Sequence, residues 1–549
     1  MARTRPERSP APTSPASVLV ATAIASAVLA VYLLRLDRVA GLMVDDAWYV
    51  LLAKALAEGH GFKLISSAAT EILPIVPPGF PAILSVVFRL SPQFPQNVLL
   101  LKSVSIAAMM GVGVVTYRYF VGYRQVPRQL AIYISVATVV TPAFVFLATS
   151  TVMSECVFTF GQVLTILLVE RSAGARDETA GRRYTVIAAV LAVATTLIRL
   201  PGVALAVAAV LYLLKERLWR RAVLFAAVAM VCFAPWTVYE RTHRPTTAQR
   251  LEHGGSIALA YGDSLWMRLA ADPTSGRITI LDLPARVQEN LITVFGRDIG
   301  GILVPAFFRG PDESGEEVAG LGGTMGVYAA SMGGARATMI ISFVLSSIAF
   351  IGFISATRER LTAAEVLVPI SIAMTVIVPF WSYRYVLPLA PYVFFYFVKG
   401  LQAVTVWCER RMRTATLSPS RLVRVVMLCI IGLDVYDHAQ YVLETRDTAR
   451  LQATDWIADS REIDGVLEWM RSNLVMDGVV VTTNPGLVYL ETGRKTLAMD
   501  DQANNWDAWK TRGVRYLVCL RPSELPPASV RTYKLLHQSS RRKLWVIEI

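Results

Sequence analysis

The chain has 549 residues, of which 54% are hydrophobic and 17% charged, and its mean hydropathy is +0.47. That balance excludes a string of soluble domains and defines a polytopic α-helical membrane protein. The net charge of +13 does not mark a nucleic-acid binder, because the arginines gather in short loops between apolar runs, as the positive-inside rule expects.

Residues 1–16 carry Arg3, Arg5 and Arg8 among prolines and serines and read as a disordered basic tail on the cytoplasmic side. Ser17 to Leu34 is an apolar run longer than a signal-peptide core. Ala25-Ser26-Ala27 resembles a cleavage site but falls in mid-run, so the expectation is a retained first span.

The loop 36–96 then lies outside. Within it Trp48, Leu51, Leu52, Ala55 and Leu56 fall on one helical face, which predicts a short helix along the membrane surface. Asp46 is placed to cap its start, and Gly59 or Gly61 to end it. Neighbouring helical residues point about 100° apart, so Asp45 and Asp46 do not share one proton as a catalytic dyad does. One can cap while the other faces a substrate; alternatively both are helix-start residues of a wet loop. Phe80 to Leu90 is too short to cross and reads as interfacial.

Spans follow at 97–117, 128–148, 152–170, 184–198, 200–215 and 221–239, then at 336–356, 363–380, 385–406 and 423–441. With the first, that makes about eleven by the rule of roughly 20 apolar residues each. The clusters Arg118/Arg124/Arg128, Arg171/Arg176/Arg182/Arg183, Lys215/Arg217/Arg220/Arg221, Arg358/Arg360 and Arg410/Arg411/Arg413/Arg421/Arg424 then all fall inside, with the C-terminus outside. The long outer loop 240–335 holds one amphipathic candidate, Leu283 to Phe295, and the aromatics Tyr261, Trp266 and Phe295, which suit either a sugar or the membrane surface.

The last stretch, 442–549, is water-soluble in character. It reads as helix Ile463–Leu474, strand Gly478–Thr483, helix Asn504–Arg512, strand Val514–Leu520 and a hairpin of Tyr533–Leu536 with Leu544–Ile547. Such alternation implies a small C-terminal α/β extracytoplasmic domain, and it lacks a glycine-rich phosphate fingerprint. Cys156, Cys232, Cys408, Cys429 and Cys519 show neither metal-site nor CxxC spacing.

An enzyme working outside the membrane has no ready supply of activated nucleotides, so an activated group must arrive on a lipid carrier. The topology brings three cations to the outer boundary: Lys102 at the head of the second span, Arg199 in the break Ile198-Arg199-Leu200-Pro201, and Arg384 in Trp381-Ser382-Tyr383-Arg384-Tyr385. A charge there is a functional candidate for binding an anion, the bland alternative being a snorkelling side chain.

The order of these features resembles the GT-C glycosyltransferases over nearly the whole chain. It runs from the Asp45-Asp46 pair through Gly59-His60-Gly61, Pro77-Pro78-Gly79-Phe80-Pro81 and Leu101-Lys102-Ser103. It continues with Met153-Ser154-Glu155, Leu197-Ile198-Arg199-Leu200-Pro201, Tyr383-Arg384-Tyr385-Val386-Leu387-Pro388 and Val488–Arg494. The protein O-mannosyltransferase and aminoarabinose transferase branch is the nearest likeness. The resemblance implies a polyprenyl-phosphate sugar donor, an inverting displacement, no metal, and Asp45 as the base. It places Lys102 where that branch has a phosphate-contacting basic residue, and it marks His60, Pro77, Pro78 and Tyr383 as substrate-loop residues.

Trp48 stands where the aminoarabinose enzymes have arginine, and Ile75-Val76 where they have an acidic-Lys pair, which disfavours lipid A as acceptor. The second acid is Asp46 rather than Glu, so the choice of base between the two stays open. Other readings are an oligosaccharyltransferase, from the half-motif Asn505-Trp506-Asp507, a flippase, or a catalytically dead envelope protein. No internal repeat of the kind transporters carry is found.

Overall fold

The computed structural model describes residues 15–68, 73–246, 265–269, 272–305, 325–379, 383–412, 418–446, 455–475, 478–499, 511–521 and 533–549, with positions 249, 262 and 509 besides. Residues 1–14, Tyr261 and Asn505-Trp506-Asp507 lie outside the described residues.

The chain is a multi-pass membrane protein with a small sheet at its C-terminal end. Its helices are α1 (Pro15–Arg35), α2 (Asp45–Ala57), α3 (Gly79–Leu90), α4 (Val98–Gly122), α5 (Arg128–Val140), α6 (Pro142–Thr149), α7 (Glu155–Gly174), α8 (Glu178–Ile198), α9 (Val203–Lys215) and α10 (Trp219–His243). Then come α11 (Leu283–Thr293), α12 (Ile299–Leu303), α13 (Met325–Glu359), α14 (Ala363–Ile377), α15 (Ala390–Met412) and α16 (Pro419–Arg446). Every expected span coincides with helix, but among the described residues seven helices are long and apolar enough to cross, or eight if the pair α5/α6, bent by 48°, is one span.

The expected count of eleven is therefore not reached on length and composition. Leu200–Lys215 and Ala363–Ile377 are too short for that test, and α16 carries the buried Asp434, Asp437 and His438. Prolines account for the breaks. Pro142 follows the α5 end, and Pro201, which has no amide with which to continue the α8 ladder, comes just after Arg199, whose extended conformation (φ −149°, ψ 132°) ends α8. Where α13 crosses α15, a Cβ on Gly352 would strike the Tyr396 carbonyl and one on Gly400 the Ile348 carbonyl, so the absence of side chains lets two backbones touch.

At one end of the bundle the arginine-rich loops bind each other. Arg124 meets Glu365 at 3.0 Å, Arg360 meets Glu170 at 3.6 Å, and Arg221 meets Glu178 at 2.6 Å. At the other end sit α2, α3 and the C-terminal unit.

In the stretch between α10 and α11, β1 (Met267–Leu269) and β2 (Asp272–Arg277) form an antiparallel pair. The C-terminal unit is helix α17 (Asp455–Asn473), strand β3 (Val479–Thr482), helix α18 (Pro485–Thr492), and strands β4 (Thr496–Ala498), β5 (Val514–Cys519), β6 (Lys534–Gln538) and β7 (Trp545–Glu548). The sheet order is β4-β3-β5-β7-β6, with β3 parallel to β4 and β5, and β7 antiparallel to β5 and β6. Short α18 and β4 are not expected from the sequence.

Helix α2 departs from expectation too. It does not lie open on a membrane surface: Asp46 to Ala53 and Ala55 are all buried. It runs between α3 on one side, where Tyr49 packs edge-on against Phe80 at 5.1 Å, and α18 on the other, where Gly486 meets Ala47 and Trp48. Each large side chain so removed from water contributes roughly 1.5–3 kcal/mol.

Candidate active site

Four chain breaks deliver side chains to one place beside α2. Asp45 opens α2. Glu155 opens α7, in the turn where a carboxylate is favoured by the helix dipole. Arg199 sits in the extended link after α8. Arg384 lies in the helical turn Tyr383–Val386 just ahead of the 3₁₀ turn Leu387–Leu389 and α15. That broken helix is pinned to α7, because Gln162 Nε2 donates to the Pro388 carbonyl oxygen at 2.8 Å.

The four form one ion cluster. Arg384 donates from Nη1 to Asp45 Oδ2 at 3.0 Å and from Nε to Glu155 Oε1 at 2.7 Å. Arg199 Nη1 meets the same Glu155 Oε1 at 2.7 Å and donates to Ser154 Oγ at 3.2 Å. Ser154 in turn donates to the Tyr49 hydroxyl at 3.2 Å. The Tyr385 ring lies 5.3 Å from the Arg199 guanidinium carbon, a cation–π contact. Exposure grades outward, from 0% for the Glu155 side chain through 8% for Arg199 and 19% for Arg384 to 34% for Asp45. Asp45 is thus the most exposed member of the cluster, and Glu155 is the buried anchor that holds both arginines.

Asp45 is set by a strained turn. Val44, a β-branched residue, has φ 62°, and Gly41 has φ 86°, a region in which a valine costs about 1–3 kcal/mol. Asp46 does not cap α2, contrary to expectation: the cap position is Val44, and no side chain caps there. Asp46 is fully buried. It accepts from the Gly41 amide at 2.7 Å and the Ala47 amide at 3.0 Å. Burial pushes its carboxyl up to about 6, the neighbouring Asp45 adds to this, and the two amides oppose it. The two aspartates therefore do separate jobs, Asp46 tying the turn and Asp45 facing out.

Of the cations singled out from sequence, Arg199 and Arg384 are brought to the cluster and Lys102 is not. Lys102 is fully buried. Its ammonium donates to Asp37 Oδ1 at 2.7 Å, the Asp37 carbonyl at 2.9 Å and the Thr149 carbonyl at 2.7 Å. Those three bonds use all three protons of the group, so Lys102 braces the link after α1 against the end of α6.

His60 lies beyond the far end of α2, exposed, 3.8 Å from Glu58. Pro77 is buried and Pro78 precedes α3; a Cβ on the next residue, Gly79, would fall 2.7 Å from the Leu197 carbonyl carbon. The proline pair thus seats α3 on the backbone that leads to Arg199. Tyr383 donates to the Gly301 carbonyl at 3.4 Å, beside α12.

Sequence reasoning gives no role to Glu155, Ser154, Tyr49 or Tyr385. A signal for Glu155 is present in the sequence: it is an acid opening a span within Met153-Ser154-Glu155, with no oppositely charged neighbour nearby. Among the described residues no group of three His, Cys, Asp or Glu side chains is placed to hold a metal ion.

Over most of its length the chain shares its fold with solved structures. ArnT from Cupriavidus metallidurans bound to undecaprenyl phosphate superposes with a TM-score of 0.59 at 13% identity, covering 97% of this chain and 98% of that one. Its apo state gives 0.57 at 12% over the same shares. The Archaeoglobus fulgidus oligosaccharyltransferase in complex with Zn and sulfate gives 0.52 at 13%, covering 90% of this chain and 67% of that one. No protein-family model matches the sequence, and no curated protein matches it.

Proposed function

We propose that the protein is an inverting glycosyltransferase that moves a sugar from a polyprenyl-phosphate carrier to an acceptor hydroxyl at the outer face of the plasma membrane. The observation that supports this best is the contact of Asp45 with Arg384, a base candidate and an anion-binding cation held 3.0 Å apart at the exposed edge of a buried ion cluster.

In this reading the carrier's phosphate oxygens take the outward side of Arg384 and Arg199, and Asp45 is released from Arg384. Asp45 removes the proton of the acceptor hydroxyl as its oxygen bonds to the anomeric carbon, and the carbon–oxygen bond to phosphate breaks. Polyprenyl phosphate leaves with the bonding pair, stabilised by the two guanidiniums. One displacement inverts the anomeric configuration. Glu155 keeps the arginines in place, and Asp46 holds the turn. No metal is required in this scheme.

Three things favour the reading. The fold is shared with a protein solved with undecaprenyl phosphate. The arginine-rich loops lie at the end of the bundle away from the cluster, as expected if that end is cytoplasmic. The acid most open to an acceptor is also the one bound to an arginine.

The test is transfer from polyprenyl-phosphate sugars by the purified protein in detergent. Asp45→Asn is expected to lower turnover by about 10²- to 10⁴-fold, the usual contribution of a general base, while carrier binding persists. Full turnover in that variant, or cysteine labelling that puts position 45 in the cytosol, overturns it.

A further inference from the structure

The C-terminal unit is joined to the base-bearing turn by a short relay of hydrogen bonds. Asn484, 6% exposed, donates from Nδ2 to the Gly41 carbonyl oxygen at 2.7 Å, across 443 residues of sequence. The amide of that same Gly41 donates to Asp46 Oδ2 at 2.7 Å. Asn484 is itself fixed, since its Oδ1 caps α18 by accepting from the Leu487 amide at 3.2 Å. Leu487 closes over Gly41 so tightly that a Cβ there would lie 2.7 Å from its Cδ1. A second grip lies further along the same loop: the Thr496 amide donates to the Ser66 carbonyl at 2.8 Å, the Ala68 amide to the Thr496 carbonyl at 3.1 Å, and Lys495 Nζ to the Ile65 carbonyl at 2.8 Å.

The turn so gripped is the one with two positive-φ residues, Gly41 and Val44. A strained conformation persists only where its surroundings over-determine it, and the hydrogen bonds of Asn484 and Asp46 converge on one residue of that turn. We infer that Asn484 is a positioning residue: through Gly41 and Asp46 the C-terminal unit holds Asp45 in its place against Arg384. The unit is thereby part of the catalytic apparatus rather than an appended acceptor platform. The inference rests on the proposed role of Asp45 for its catalytic consequence, but not for the grip itself.

Two substitutions separate the grip from the folding of the unit. Asn484→Ser and Asn484→Asp both keep a short oxygen that can cap α18; the ionised Asp has no proton to give the Gly41 carbonyl, and the Ser hydroxyl sits one bond short of the place of the amide nitrogen. Hydrogen exchange on the full-length protein in detergent is expected to quicken at the Gly41 and Ala47 amides at least tenfold while β3 and β5 keep their protection. In the transfer assay kcat is expected to fall about 10²-fold, the loss typical of a 1 Å misplacement, with the donor KM unchanged.

Unchanged exchange at 41–47 overturns the grip whatever the activity does. Faster exchange there with an unchanged kcat, in a protein whose Asp45→Asn variant is inactive, overturns positioning while sparing the base. If the wild type transfers no sugar, the proposed function fails and exchange alone decides the grip. Should neither variant fold, exchange in the wild type decides it: Gly41 is expected to open together with Val479–Thr482, and opening together with α3 instead overturns it.

Discussion

Arg384 bridges Asp45 and Glu155, with Nη1 3.0 Å from the Asp45 carboxylate and Nε 2.7 Å from that of Glu155. One planar guanidinium thereby links the exposed acid to the buried one, and the fork geometry allows both bonds at once. In the proposed reaction an anion arriving at the cluster competes with Asp45 for the same donor, which couples occupancy of the proposed phosphate position to freedom of the proposed base.

Arg384→Lys keeps the charge and removes the fork. A lysine ammonium is a point charge that cannot hold two carboxylates in one plane. The expected result is a loss of about 10²-fold in kcat/KM, which corresponds to about 2.7 kcal/mol of transition-state stabilisation, shared between weaker donor binding and slower turnover. Steady-state kinetics and direct titration with polyprenyl phosphate separate the two parts; an unchanged affinity contradicts a phosphate role for this residue.

Glu155→Ala leaves two arginines facing each other without their shared counter-ion. Removing one partner of a buried ion pair costs about 3–5 kcal/mol, so thermal unfolding in detergent should shift to lower temperature. Glu155→Gln keeps an oxygen acceptor for one guanidinium and should be less harmful. A Glu155→Ala variant as stable as the parent contradicts the anchoring role.

Asp46 makes stability depend on pH. Its carboxyl is raised from 3.8 to about 6 in the fold, so the folded chain holds this proton more tightly than the unfolded chain. The resulting contribution is complete below about pH 4 and is lost as pH rises through about 6; a rise of that size corresponds to about 3 kcal/mol. Asp46→Asn cannot titrate. The gap in unfolding temperature between parent and variant should therefore change across pH 4–6 and be level on either side, and a gap that is constant throughout contradicts it.

Lys102→Met separates a brace from a phosphate ligand. The substitution leaves Asp37 without the ammonium 2.7 Å away, and the expected cost is again about 3–5 kcal/mol of stability. Donor KM in whatever fraction folds should be unchanged. A large rise in donor KM with normal stability would restore Lys102 to the phosphate site that its place in the sequence suggested.

The positions of the spans, the break after α8 and most of the small terminal sheet were legible in the sequence because they follow from local rules. Helices in lipid satisfy their own backbone, and Pro201 marks where α8 stops, whereas the breaks at Pro142 and Pro388 fall inside what the sequence reads as single spans. Asp45, Arg199 and Arg384 were legible as charges that a membrane boundary tolerates only for a reason. Lys102 looked the same by that rule, and only its three bonds distinguish it, since a charge buried for bracing and one held for a ligand have identical local sequence. Pairing across 339 residues for Asp45 with Arg384, and across 443 for Gly41 with Asn484, leaves no periodicity to read. Such contacts exist only once packing has brought distant breaks together, and this is why the burial of α2, the anchor Glu155 and the hold of the C-terminal unit on the turn that carries Asp45 belong to the tertiary structure alone.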